Sequence, residues 1–200
     1  MNLIKKLKSF NLTLSINYIV GLIYTKLFFK KSKLIRRPFY LRNEGKFLYG
    51  EGLSLGPNTV IEVFGEKSLL EIGTNFSSYY NLHIGCCGHI FIGNNVLVAS
   101  NVYISDHQHG FYKNSQDSDI TSPYLEPLKR KIHSESVFIG DNVWIGEGAK
   151  ILSGVKIGNG CIIGAASVVT KDIPKNTICA GSPAIPIKFY NEIEKKWTNA

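Results

Sequence analysis

The chain carries only four cysteines in 200 residues, and none stand as a C-x-x-C pair. That spacing excludes a disulfide framework and gives no sign of a structural zinc site. Cys86 and Cys87 are adjacent, while Cys161 and Cys179 sit where a small apolar side chain suits a core. No secretory leader is expected either, since residues 1–30 show neither a clean apolar stretch nor a small-residue cleavage site. The expectation is a cytoplasmic chain with reduced thiols. Acids are scarce at the start: residues 1–46 hold eleven Lys or Arg against Glu44 alone, a balance of +10. The formal total is +8, which leaves the rest of the chain at −2. The positive charge is therefore local. With no run of interleaved cations and aromatics beyond it, nucleic-acid binding is excluded as the main role.

An uninterrupted apolar run long enough to span a membrane is lacking too. Residues 10–29 approach that length, but Asn11, Thr13, Ser15, Asn17 and Lys26 break it. Ile16, Val20, Ile23 and Leu27 share one helical face, bracketed by Lys5, Lys6 and Lys8 before and Lys30, Lys31, Lys33, Arg36 and Arg37 after. Two readings stand: a helix capping the open end of the body that follows, or one lying in an anionic membrane interface.

What the chain has instead is a period of six. Ile139, Ile145, Ile151, Ile157, Ile163 and Val169 recur at every sixth position, most of them followed by glycine. Neither a helix nor a lone half-buried strand gives that period. A solenoid does, with a short strand and a tight turn on each flat face. The rhythm appears earlier at Ile72, Ser78 and Ile84, then at Ile92, Val98 and Ile104, with a two-residue slip at Ile90-Phe91 expected as a bulged corner. Leu55 and Ile61 mark a ragged first turn, and Asn94-Asn95, Asp141-Asn142 and Asn159-Gly160 fall at corners. Three hexads per coil predict roughly five or six coils. The organisation read from this is a basic extension over 1–46, a solenoid over 47–186 and a helical tail over 187–200.

Chemistry is sought where the repeat breaks. Between Ile104 and Ile139 the chain leaves the hexads, opening with Asp106-His107-Gln108-His109-Gly110 and passing Tyr112, Lys113, Ser115, Asp117 and Asp119 to Lys129-Arg130-Lys131. A long loop in a compact solenoid is usually functional, and neutral imidazole suits removal of a proton from a hydroxyl. For an isolated D-H-x-H the plain reading would be exposed loop histidines; the hexad context favours a catalytic corner.

Taken together, the hexads, this histidine-led excursion over 105–136, V-W-I-G at Val143–Gly146, G-A-x-S-V-V-T-K-D-I-P at Gly164–Pro174 and A-G-S-P-A at Ala180–Ala184 resemble the hexapeptide-repeat acyltransferases. The branch resembled contains galactoside, maltose and xenobiotic acetyltransferases and bacterial surface-polysaccharide O-acetyltransferases. The resemblance spans roughly residues 50–190. It implies an all-β left-handed parallel β-helix, a homotrimer with active sites between subunits, acetyl-CoA as co-substrate and no metal. It makes His107 the general base, with Asp106 orienting its imidazole if the two adjacent side chains converge. It places Trp144, Gly146, Ala165, Thr170, Lys171 and Lys188 along the CoA path, and His109, Tyr79 and Asn81 toward the acceptor. Glu147 departs from the pattern, standing where some sugar acetyltransferases carry a small hydroxyl residue near the thioester.

The implied reaction is O-acetylation of a sugar hydroxyl in a surface polysaccharide or its precursor. The alternative is N-acetylation of a nucleotide-linked amino sugar, on the same fold and co-substrate. A three-histidine zinc enzyme of the carbonic anhydrase kind is disfavoured, because the CoA-end motifs would have no purpose there. A non-catalytic scaffold is disfavoured because the histidine corner and the CoA motifs occur together.

Overall fold

The computed structural model describes residues 9–112 and 120–200. Lys5, Lys6, Lys8, Lys113, Ser115, Asp117 and Asp119 lie outside the described residues. The chain winds as a parallel β-solenoid with three faces, as the hexads predict, and of the left-handed β-helix class that the family resemblance implies. Face A stacks β1 (Leu34–Ile35), β4 (Ser54–Leu55), β7 (Ser77–Ser78), β10 (Leu97–Val98), β15 (Trp144–Ile145), β18 (Ile162–Ile163) and β20 (Thr177–Gly181). Face B stacks β2 (Phe39–Asn43), β5 (Thr59–Val63), β8 (His83–Cys86), β11 (Tyr103–Ser105), β16 (Lys150–Ile151) and β19 (Val168–Val169). Face C stacks β3 (Lys46–Tyr49), β6 (Leu69–Ile72), β9 (His89–Ile92), β14 (Val137–Ile139) and β17 (Lys156–Ile157). Six coils result, with β20 opening a seventh.

The hexad residues do what their period demands. Ile139, Ile145, Ile151, Ile157, Ile163 and Val169 step from face C to A to B and round again, each at most 2 % exposed. Full burial of such a side chain stabilises by about 1.5–3 kcal/mol, so the stack is its own core. Corners turn on residues that tolerate left-handed backbone: Asn95, Asn142 and Gly160 have φ of 56°, 57° and 69°. Their amides also stack, Asn75 donating to Asn95 at 3.1 Å and Asn95 to Asn142 at 3.2 Å.

Three expectations are corrected. The slip at Ile90-Phe91 is not a bulged corner. Around β8 the chain buries Cys86 in addition to Leu82 and Ile84, so face B is longer there by one strand period, while Ile90 and Ile92 of β9 stay in register with Val137 and Ile139 of the regular coil above. The solenoid begins before residue 47, because β1 and β2 already pair in parallel with β4 and β5. Residues 34–46 are thus the first coil rather than extension. The tail is not helical. Strand β21 (Ala184–Asn191) folds back antiparallel on β20, and β22 (Lys196–Asn199) on β21. The unpaired edge of face A at β20 offers a ladder of backbone partners that a short helix would leave unused.

Helix α1 (Leu12–Phe28) is capped by Asn11, whose Oδ1 accepts the Leu14 N–H at 2.8 Å. It rests on β1 through its small residues. Gly21 lies against the Ile35 carbonyl, where a Cβ would come within 3.1 Å, and the Thr25 hydroxyl accepts the Ile35 N–H at 2.7 Å. The shared face of Ile16, Val20, Ile23 and Leu27 is exposed, so it does not cover the coil end.

Candidate active site

The edge between faces B and C carries the break in the repeat. Strand β11 ends at Ser105, and the chain leaves as β12 (His107–His109), paired antiparallel with β13 (Ile132–Ser134). The excursion is therefore held at its root by a two-stranded ribbon. Further out, the Arg130 guanidinium donates to the Tyr112 hydroxyl and to the carbonyls of Leu125 and Pro123. Arg130 ties the loop together, while Lys129 pairs with Glu126.

Asp106 is buried to 0 % exposure beneath this root. One carboxylate oxygen accepts the Cys87 N–H at 2.8 Å and faces His107 Nδ1 at 3.2 Å. The other accepts the Gly88 N–H at 2.8 Å and the Cys86 thiol at 3.6 Å. Burial works against the charged form, but the His107 and backbone hydrogen bonds outweigh it, and the carboxyl stays below its ordinary range. The dipeptide Cys87-Gly88, at the corner between β8 and β9, thus adds two backbone donors to the His107 contact in keeping Asp106 ionised.

His107 sits above that carboxylate, its side chain 17 % exposed. Its ring lies over Gly85, where a Cβ would come within 3.0 Å of Cε1. The Ser105 hydroxyl is 3.2 Å from Nδ1 and donates to the His107 carbonyl. Nδ1 thus faces a carboxylate, an acceptor that fixes the proton on that nitrogen. Nε2 has no hydrogen-bond partner among the described residues, which leaves its lone pair available to substrate. The adjacent Asp106 and His107 side chains do converge, because the chain turns out of the coil between them.

Sequence reading missed several neighbours. The Ser153 hydroxyl of the next coil donates to the Asp106 carbonyl at 3.0 Å, and the Phe64 ring meets the imidazole at 5.9 Å. No pattern at the hexad scale marks either. Cys87, Asp106 and His107 also bring potential metal-ligating atoms within 4.8 Å of one another. The donor set suits a cation poorly. Burial, with the charges of Asp106, Glu62 and Glu44 behind it, pushes the Cys87 thiol up to about 11, and both Asp106 oxygens already accept amide protons.

The remaining candidates divide between two edges. Thr170 and Lys171 follow β19, on the His107 edge two coils further along, about 10 Å at the usual strand spacing. Both are exposed, and Lys171 makes no ion pair among the described residues. Tyr79, Asn81, Gly146, Glu147 and Ala165 follow strands of face A, so they occupy the edge between faces A and B. That edge is separated from His107 by the width of face B, roughly 13 Å for four extended residues. Trp144 stands outward on face A at 49 % exposure, and Lys188 is exposed on β21. His109 is exposed on the ribbon.

Asn81 donates to Asn101 at 2.8 Å and Asn101 to Glu147 at 3.2 Å, which makes Asn81 and Glu147 the ends of a corner ladder. Gly146 permits close stacking of coils, since a Cβ there would lie 2.7 Å from the Ala165 nitrogen. Its own N–H is committed to the Ile163 carbonyl at 2.8 Å, so it is not free to receive an oxyanion.

Residues 136–171 match the family model "Bacterial transferase hexapeptide (six repeats)". Over 99 % of its length, and 100 % of the relative's, the chain is 36 % identical to the Escherichia coli K12 protein named "Putative lipopolysaccharide biosynthesis O-acetyl transferase WbbJ". It is 35 % identical to the galactoside O-acetyltransferase of the same strain, over 72 % of this chain and 67 % of that one. A solved galactoside acetyltransferase in complex with coenzyme A superposes with a TM-score of 0.55 at 34 % identity, covering 71 % of this chain and 67 % of that chain. A buried carboxylate beneath a corner imidazole, on a hexapeptide solenoid whose full length aligns with such a relative, places the chain in the hexapeptide-repeat acyltransferase family, as an O-acetyltransferase.

Proposed function

We propose that the protein transfers acetyl from acetyl-CoA to a sugar hydroxyl of a bacterial surface polysaccharide, O-antigen or capsule, or its precursor. The observation that carries the reading is the His107 imidazole, with Nδ1 on the buried Asp106 carboxylate and Nε2 without a hydrogen-bond partner among the described residues. In this mechanism Nε2 takes the proton of the acceptor hydroxyl as its oxygen attacks the thioester carbonyl carbon. Asp106, 3.2 Å from Nδ1, stabilises the imidazolium that forms. His107 then returns the proton to the departing CoA sulfur as the carbon–sulfur bond breaks, leaving the O-acetyl ester and free CoA. General base assistance of this kind is worth about 10²–10⁴-fold in rate.

Exposed Lys171 and Lys188, cations without competing ion pairs among the described residues, suit the phosphates of CoA, with the exposed Thr170 hydroxyl as a further donor. The division of candidates between two edges supports a homotrimer. Packing one protomer's face A, with Trp144, and the adjoining edge bearing Gly146 and Ala165 against its neighbour's His107 edge would unite them, and would cover the apolar Leu97 and Trp144 on face A, 39 % and 49 % exposed. Tyr79 would reach the acceptor by the same route. Carried over from the relative named for lipopolysaccharide biosynthesis, the acceptor is a glycan of the lipopolysaccharide kind.

No helix among the described residues is long and apolar enough to cross a membrane. Exposure of Ile16, Ile23 and Leu27 on α1, with Lys30, Lys31 and Lys33 beside them, supports peripheral contact with anionic lipid.

The decisive experiment is His107→Ala, assayed by CoA thiol release with lipid-linked or polymeric glycans and, in parallel, nucleotide-linked amino sugars. The expected result is loss of glycan acetylation by about 10²–10⁴-fold with CoA binding retained in calorimetry. Near-normal turnover overturns the base assignment, and activity confined to amino sugars replaces O- by N-acetylation.

A further inference from the structure

Three side chains from the first two coils form a chain that ends on the catalytic ring. Phe64 follows β5 at the same edge as His107, and its backbone is pinned on both sides. Its N–H donates to the Cys86 carbonyl at 2.8 Å, and its own carbonyl accepts the Ser68 hydroxyl. The ring meets the His107 imidazole at a centroid distance of 5.9 Å and an interplanar angle of 79°. The Arg42 guanidinium lies over the same phenyl ring, 4.8 Å from its centroid. Arg42 is itself held by Glu44, whose Oε1 accepts from Nε at 3.0 Å and from Nη2 at 2.6 Å, while Oε2 accepts the Gly65 N–H at 3.0 Å. Glu44 thus clamps both the guanidinium above Phe64 and the backbone next to it.

The imidazole is held on few sides. Gly85 offers a bare floor, Asp106 and Ser105 hold Nδ1, and Nε2 must stay open to substrate. A histidine side chain has two rotatable bonds, and an Nδ1 contact by itself permits the ring to swing. The edge-to-face packing with Phe64 supplies the lateral contact that the floor and the carboxylate do not.

We infer that Phe64, braced by the Arg42–Glu44 pair, is a positioning residue that holds the His107 ring with Nδ1 on Asp106. The inference rests on His107 as the base, and it gives the first coil a part in catalysis although no residue of that coil need touch substrate. The pair does not act through its net charge, which Glu44 cancels. It acts by keeping an aromatic face in place, so a ring at position 64 is what the site requires.

The test compares Phe64→Leu, Phe64→Tyr and Arg42→Gln with the wild type, by steady-state kinetics over pH and by ¹⁵N histidine NMR of the His107 tautomer. Phe64→Leu is expected to lower kcat by about 10- to 100-fold, the usual penalty for a misplaced catalytic group, with KM for acetyl-CoA held within about twofold. Its His107 signal should change from the Nδ1–H form to a mixture of tautomers, and its pH–rate profile should shift. Phe64→Tyr keeps the ring and should restore both. Arg42→Gln, at an exposed position, should lower kcat by about two- to fivefold through loss of the cation over the ring. A Phe64→Leu enzyme with the wild-type tautomer and pH profile overturns the inference, whatever its stability. Should that variant not fold, an Arg42→Gln enzyme with unaltered kcat and tautomer overturns it equally. Because the tautomer is read on the ring itself, failure here is distinct from failure of the base assignment, which His107→Ala reports.

Discussion

Asp106→Asn tests the core of the site in a single atom. The carboxylate accepts from Cys87, Gly88, His107 Nδ1 and the Cys86 thiol, with each oxygen serving two of these groups. An amide can present its oxygen to one side only. If Nδ2 takes the place facing Gly88, that N–H points at another donor. If it takes the place facing Cys87, the Cys87 N–H is orphaned and the imidazole must take the Nε2–H tautomer to accept from the amide. A buried donor left without an acceptor costs about 1–3 kcal/mol. For a chain of this length that lowers Tm by about 2–4 °C per kcal/mol.

The kinetic loss is larger than the stability loss, because the wrong tautomer puts a proton where the lone pair is needed. A fall in kcat of about 10²–10⁴-fold is expected, with CoA binding unchanged. Thermal melts with calorimetry read the first quantity, and CoA thiol release at saturating donor reads the second. An Asp106→Asn protein with wild-type Tm and kcat within threefold would refute the reasoning, since neither the amide donors nor the tautomer would then depend on the charge.

Other outcomes follow from the same geometry. Gly146→Ala puts a Cβ 2.7 Å from the Ala165 nitrogen and the Ile163 oxygen, both backbone atoms of the next coil, and should destabilise by about 1–3 kcal/mol in chemical denaturation. Acid should loosen the corner that holds Asp106 and His107. The folded Asp106 carboxyl titrates below its ordinary 3.8, so its contribution is complete above that pH and is lost as pH falls through the lower, folded value; melts from pH 5 to pH 2 should show the loss, and Asp106→Asn should lack that part of it. Removing residues 1–28 should abolish co-sedimentation with vesicles containing anionic lipid and leave binding to neutral vesicles unaltered and weak, whereas persistence of anionic-vesicle binding would assign it to another surface.

Some of this was legible in the chain because it depends on period. An aliphatic residue every sixth position can be buried repeatedly only by a coil of short faces, so Ile139 through Val169 announce the solenoid without tertiary help. Corner asparagines were equally legible, since few other residues accept φ near +57°. His107 stood out because the repeat stops there. The tail was misread because alternation at Ile185, Ile187 and Phe189 is too short to choose an element by itself; the free edge of β20 chose it.

What the sequence by itself determined is the winding, the inward side chains and the place where the winding is interrupted. What only the tertiary structure decided is how neighbours in sequence are aimed. In a continuous strand Asp106 and His107 would point to opposite faces, and they meet because the chain leaves the coil between them while Cys87 and Gly88, a coil away, anchor the carboxylate. Period likewise revealed an apolar face on α1, but Gly21 and Thr25, small enough for close contact with β1, turned that face outward. Repetition is a property of order along the chain, whereas orientation depends on contacts between residues far apart in it.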